Sequence, residues 1–135
     1  MRGGKRWLKT AFLAGMVTDA LALAPLLSPR LAAVLWGVAD CAGFCRFAMG
    51  YAASLMAGWT LLLAWAYRKP VERRFVAPLT MAVIGGLVLA EIVAVARGDL
   101  ALGRMVPTWV LQAVLLAWFG TGYRWSGHDD EPTIA

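Results

Sequence analysis

The stretch Phe75 to Ala96, FVAPLTMAVIGGLVLAEIVAVA, carries one charged side chain, Glu91, and lies between Arg74 and Arg97. As an α-helix at 1.5 Å per residue it covers about 33 Å, which matches the roughly 30 Å hydrocarbon core of a bilayer. Basic residues at both ends are typical of a membrane span because they reach the lipid headgroups. The stretch therefore predicts a transmembrane helix.

The whole chain has the composition of a membrane protein. Of its 135 residues, 61% are hydrophobic and 16% are charged, which is too apolar for an ordinary soluble domain. A soluble multidomain enzyme and a disulfide-stapled secreted module are excluded. We predict an all-α polytopic membrane protein, with one domain over 1–125 and a polar, disordered tail over 126–135. The four predicted transmembrane helices are 7–27, 47–67, 75–96 and 105–123.

An apolar piece between the first two spans, residues 31–45, is too short to cross the bilayer. It covers about 22 Å as a helix and contains Asp40. We predict a short interfacial or re-entrant helix on the outer face, with Trp36 at headgroup depth.

The basic residues predict the orientation of the four spans. One side of the membrane would carry Arg2, Lys5, Arg6, Lys9, Arg68, Lys69, Arg73, Arg74 and Arg124, against Arg30, Arg46, Arg97 and Arg104 on the other. Because cytoplasmic loops are enriched in Lys and Arg, we expect an inner-membrane protein with both termini in the cytoplasm. A basic start before an apolar run is also typical of a signal peptide, but Asp19 and Pro25 favour a retained first helix.

Two rows of small residues predict where the helices pack. Gly50, Ser54 and Gly58 recur every four residues on the second span, and the third span carries Ala82, Gly86, Ala90 and Ala94. Small residues let helix backbones approach closely in lipid. We expect these rows to pack the bundle internally, to form an interface with a second copy of the chain, or to do both.

Polar side chains inside three spans predict a binding site. Asp19, Gln112 and Glu91 would lie about 3, 4 and 8 Å from the middle of their spans toward the outer face, and Ser54 falls at a similar level. A carboxylate near the bilayer centre costs roughly 2.5 to 3.5 kcal/mol on insertion scales, so it is expected to be protonated, paired or hydrated. The shared depth predicts one outward-facing polar pocket with Arg46 at its mouth. The alternative is that each polar side chain only bonds a neighbouring helix.

The two cysteines support a second kind of hypothesis. Cys41 and Cys45 are spaced so that both thiols share one helix face. They could be ordinary small buried residues, a redox pair or disulfide, or two ligands for a thiophilic metal ion.

Catalytic and cofactor motifs are missing from the sequence. The one histidine, His128, lies in the polar tail, and no phosphate-binding loop, hydrolase elbow or metalloprotease pair occurs. We therefore expect no cofactor and no histidine-based metal site, and enzymatic activity is disfavoured. Nucleic-acid binding is not expected either, because the net charge of +5 lies mainly in the short cytoplasmic flanks.

The segment from Arg46 to Arg74, RFAMGYAASLMAGWTLLLAWAYRKPVERR, resembles a family of small bacterial four-helix membrane proteins of no known activity. Gly58-Trp59, residues 69–73 and Pro107-Thr108-Trp109 carry the resemblance. The resemblance implies the four-helix fold, and it gives no information about activity.

Three functions remain open from the sequence. The first is binding or movement of a small solute, cation or proton through the polar pocket. The second is an accessory or scaffold subunit that holds a larger membrane partner through the small-residue rows. The third is a membrane thiol or metal-handling protein that uses the cysteine pair. The lipid bilayer is the one partner that the composition itself predicts.

Overall fold

The structure, a computed structural model, describes residues 3–37 and 42–128. Within these ranges it contains five α-helices and no strand, so the predicted all-α fold is confirmed. Four of the helices are long and apolar enough to cross a membrane, and a short helix lies between the first two, as predicted. The helices are α1 (Gly3–Leu27), α2 (Pro29–Trp36), α3 (Phe44–Arg68), α4 (Val76–Ala96) and α5 (Leu102–His128).

The long helices extend beyond most of the predicted spans. The first begins at Gly3 rather than at residue 7, because the basic residues before Trp7 continue the helix and can reach the headgroup region. At the other end, α5 continues through His128, so residues 126–128 are helical although the sequence placed them in the tail. Ser126 is buried there, and its hydroxyl donates to the carbonyl of Tyr123 at 3.0 Å. Residues 129–135 lie outside the described residues.

The short helix α2 is smaller than the apolar piece that predicted it. Pro29 occupies its first turn, where a missing N–H costs no helix bond, and Gly37 ends it in the left-handed conformation at φ 78°. The guanidinium of Arg104 donates to the carbonyls of Ala33 and Val34, both at 3.1 Å. These bonds satisfy carbonyls of the last turn and attach α2 to the start of α5. Asp40 and Cys41 lie outside the described residues.

The first helix is the centre of the bundle. It packs against α3 on one side and α5 on the other, α4 packs on α5, and α3 and α4 barely meet. The core contains Leu8, Phe12, Leu63 and Phe119, all fully buried. Phe12 and Phe119 cross edge to face at 5.8 Å, a favourable arrangement of aromatic rings.

The small-residue rows do not pack the bundle, and that part of the prediction is wrong. Gly50, Ser54 and Gly58 are all exposed, and a Cβ added at Gly50, Gly58 or Gly86 would meet nothing within 4 Å. The physical reason is the separation of α3 from α4, which leaves both rows on the outside of the bundle.

Other glycines make the close contacts between helices. A Cβ at Gly122 would lie 3.2 Å from Cα of Leu8, and one at Gly15 would lie 2.9 Å from the ring of Phe119. Both glycines are therefore at the α1–α5 interface, where Trp7 also donates to the hydroxyl of Thr121 at 2.7 Å. Close approach of α1 and α5 depends on these two positions.

Candidate ligand-binding site

A cavity of about 410 Å³ lies among α1, α3, α4 and α5, in the space left by the separation of α3 from α4. We call it the Asp19 cavity. Its outer walls are Ala52, Leu55, Met56 and Trp59 of α3 and Thr80, Val83, Ile84 and Leu87 of α4. Gly15 and Asp19 of α1 and Leu115 and Phe119 of α5 complete the lining. Helices that are apolar on most sides produce such a wall because little polar surface is available to line it.

Asp19 is the only charged side chain among the described residues that line the cavity. It is partly buried, and it makes no hydrogen bond or ion pair within the described part of the chain. The sequence places it within the first membrane-spanning helix, four residues after Gly15 and therefore on the same helix face. A carboxylate held without a protein partner in an apolar wall is costly, and it attracts a proton or a cation.

Two further polar side chains lie in the cavity lining. The hydroxyl of Thr80 donates to the carbonyl of Val76 at 2.8 Å, so its proton is already used within α4. The indole Nε1 of Trp59 is buried and has no hydrogen-bond partner in the described ranges. In the sequence, Trp59 was noted only for the family resemblance and not as a site residue, and Thr80 is an isolated hydroxyl two residues after Pro78. Sequence reasoning missed both residues.

Glu91 and Gln112 form a separate pair at the α4–α5 interface. Nε2 of Gln112 donates to Oε1 of Glu91 at 3.0 Å. Gln112 is 7% exposed, and neither residue lines the Asp19 cavity. The single polar pocket expected from the shared depth is therefore divided: Asp19 faces the cavity, whereas Glu91 and Gln112 bond each other across two helices.

The remaining predicted site residues lie outside both groups. Ser54 and Arg46 are exposed and do not line the cavity. Ser54 precedes Leu55, which does line it, so a helix rotation of about 100° separates the serine from the cavity wall. Shared depth predicted the level of these residues, but it carried no information about the direction in which they face.

The cysteine and metal predictions stay untested. Cys45 is disulfide-bonded at the start of α3, and Cys41 lies outside the described residues. No group of three or more His, Cys, Asp or Glu side chains that could hold a metal ion occurs in the described ranges.

Comparison of the chain with protein-family models, curated proteins and solved structures finds no match. The functional argument therefore rests on the cavity and its lining residues.

Proposed function

We propose that the protein binds a small, largely apolar cation in the Asp19 cavity and moves it toward or across one face of a bacterial inner membrane. The observation that carries the proposal is the carboxylate of Asp19, which has no partner among the described residues and lies in the wall of an apolar cavity of about 410 Å³. A volume of this size is in the range of small-molecule sites, and apolar walls with one well-placed charged group are typical of them.

The chemistry of the lining favours a cation over the other solutes. An anion would be repelled by the Asp19 carboxylate. A strongly hydrated solute would have to give up its water, and the cavity walls offer few hydrogen bonds to replace it. A lipophilic ammonium or phosphonium ion has the complementary properties, because its charge pairs with the carboxylate and its substituents contact apolar and aromatic side chains. Trp59 and Phe119 are the aromatic side chains among the described lining residues, and aromatic rings favour contact with such a cation.

The orientation is part of the proposal. The ends of α1, α3 and α5 that carry Lys5, Arg68 and Arg124 would face the cytoplasm, because they hold most of the basic residues. The cavity would then take up its cation from the outer half of the bilayer.

Binding by the purified protein in detergent tests the proposal. The probes are tetraphenylphosphonium and tetraphenylborate, which have the same shape and opposite charge, and isothermal titration measures their dissociation constants. We expect the cation to bind, and Asp19→Asn to weaken its binding about tenfold or more. Glu91→Gln is the matched control, since it neutralises the other intramembrane carboxylate outside the cavity.

Three results would contradict the cation site. The first is binding of the anion as tightly as the cation. The second is binding of the cation by Asp19→Asn at the unaltered affinity. The third is an equal loss in Glu91→Gln, which would show that charge anywhere in the bundle determines the affinity.

A second candidate, an accessory subunit of a larger membrane complex, is favoured by the outward-facing small residues. Gly50 and Gly58 on α3 and Gly86 on α4 leave open space around their backbones, which another helix can approach closely. We expect Gly58→Leu and Gly86→Leu to abolish crosslinking to a membrane partner in native membranes while cation binding persists. A crosslinked species that survives both substitutions, or a chain that remains monomeric, would argue against this role.

A further inference from the structure

A second cavity, of about 130 Å³, lies where α1 begins and where α3 connects to α4. We call it the Lys5 cavity. It is lined by Lys5 of α1 and by residues 68–72 at the end of α3 and in the connection that follows. It shares no lining residue with the Asp19 cavity, and the proposal below does not depend on the proposed function.

The charged side chains around the Lys5 cavity are mainly positive. Among the described lining residues, Lys5, Arg68 and Lys69 are cationic and only Glu72 is acidic. Glu72 is already paired, with Oε2 at 2.9 Å from Nζ of Lys69. Lys5 and Arg68 make no hydrogen bond or ion pair with any described residue. Two cations from different helices therefore lie at one cavity without a paired acidic side chain from the described residues.

Two of the neighbouring cations are engaged elsewhere. Nζ of Lys9 lies over the ring of Tyr67 at 4.7 Å. The guanidinium of Arg73 lies over the ring of Trp65 at 3.6 Å and donates to the carbonyl of Trp65. Lys5 and Arg68 have no such contact and line the cavity, so their charge is available to a ligand there.

The position of the cavity indicates where its ligand comes from. Trp65 and Tyr67 are in the last turn of α3, and tryptophan and tyrosine at the end of a span mark the level of the lipid headgroups. The cavity is thus level with the phosphates of the bilayer. Its uncharged lining, Pro70 and Val71, can contact the apolar part of a lipid.

We propose that the Lys5 cavity binds the phosphate group of an anionic phospholipid, with Lys5 and Arg68 as the residues that hold it. The planar guanidinium of Arg68 presents paired N–H donors that match two phosphate oxygens, and the ammonium of Lys5 adds a compact point charge. Basic pockets between transmembrane helices at the headgroup level recognise anionic lipids in this way.

The test measures binding of short-chain phosphatidylglycerol by the full-length protein in a neutral detergent. We expect Lys5→Gln/Arg68→Gln to weaken binding about tenfold or more. The matched control, Lys9→Gln/Arg124→Gln, removes the same charge from the same end of the bundle, and we expect it to change binding less than about threefold. An equal loss in the two double variants would overturn the proposal, because diffuse surface charge would then explain the attraction.

Three further measurements make the result specific. Lys5 and Arg68 are exposed, so the variants should keep the helical content and melting temperature of the parent protein. Arg68→Lys, which keeps the charge and loses the planar fork, should give an intermediate affinity. Inorganic phosphate serves as competitor: weak competition supports a lipid phosphate, whereas displacement of the lipid at equal concentration would overturn the lipid assignment in favour of a soluble phosphate ligand.

Discussion

The side-chain amide of Gln112 donates to the carboxylate of Glu91 across the α4–α5 interface, with 3.0 Å between Nε2 and Oε1. Oε1 of Gln112 and Oε2 of Glu91 are both buried without a partner in the described part of the chain. The pair thus joins two helices through one hydrogen bond and leaves two acceptor oxygens unsatisfied. The helix α4 packs mainly on α5, and this hydrogen bond adds a polar contact to that interface.

Gln112→Leu is expected to destabilise the protein, because it removes the hydrogen-bond donor of Glu91 and leaves a buried carboxylate alone. Replacing both residues with leucine should cost less than the two single changes together. A double-mutant cycle on unfolding in mixed detergent micelles should give a coupling free energy of roughly 0.5 to 2 kcal/mol. Strictly additive effects would show that the bond contributes nothing to stability.

Asp19→Leu is expected to have the opposite effect on stability. Asp19 has no hydrogen bond or ion pair to lose among the described residues, and the cavity beside it has room for an apolar side chain. The substitution should raise the free energy of unfolding by about 1 to 3 kcal/mol and abolish binding of the lipophilic cation. Glu91→Leu is the comparison, and it should lower the free energy of unfolding. Destabilisation by Asp19→Leu would indicate a structural role for this carboxylate.

Gly122→Ala should separate α1 from α5. The added Cβ would lie 3.2 Å from the backbone Cα of Leu8 and as close to the ring of Trp7, so a helix has to move. We expect a loss of roughly 1 to 3 kcal/mol of stability, typical of overpacking. Gly86→Ala is the control, because its Cβ would meet nothing within 4 Å. If Gly122→Ala and Gly86→Ala unfolded at the same detergent composition, the close contact at Gly122 would not be needed for the packing of α1 against α5.

Gly37→Ala should loosen α2. Gly37 has φ 78°, which costs an L-residue about 1 to 2 kcal/mol, and its Cβ would lie 3.1 Å from Nη1 of Arg104. Arg104→Ala removes the bonds to the last turn of α2 without backbone strain. Both variants should speed amide hydrogen exchange over residues 29–36. Gly98→Ala, at φ 80° with open space around it, carries the strain alone and should leave exchange in α2 unchanged.

The sequence predicted those features that depend on composition along one helix. Uninterrupted apolar runs between basic residues, such as that from Phe75 to Ala96, indicated four spanning helices, and the length of the piece before Phe47 indicated a short helix. The helix ends were less predictable. The helix α5 continues to His128 because residues 124–128 contain no proline, and polarity alone does not end a helix.

The candidate site could be predicted only in part. Asp19 was identified because a carboxylate is energetically costly in lipid, and its side chain does line the cavity among the long helices. Its predicted companions are elsewhere: Glu91 and Gln112 bond each other, and Ser54 is exposed. Most of the lining is apolar, and apolar residues in a membrane helix carry no signal that separates a cavity wall from a surface in contact with lipid.

By itself, the sequence determined that the chain forms four apolar helices and that a few polar side chains lie within them. The free energy of placing each residue in lipid is a property of that residue and its depth, so it can be read along the chain. Only the tertiary structure decided which faces meet. Helix rotation and the choice of neighbours depend on the simultaneous fit of several helices, and here that fit places Gly15 and Gly122 at the close contacts, turns the longer small-residue rows outward, and leaves a cavity beside Asp19.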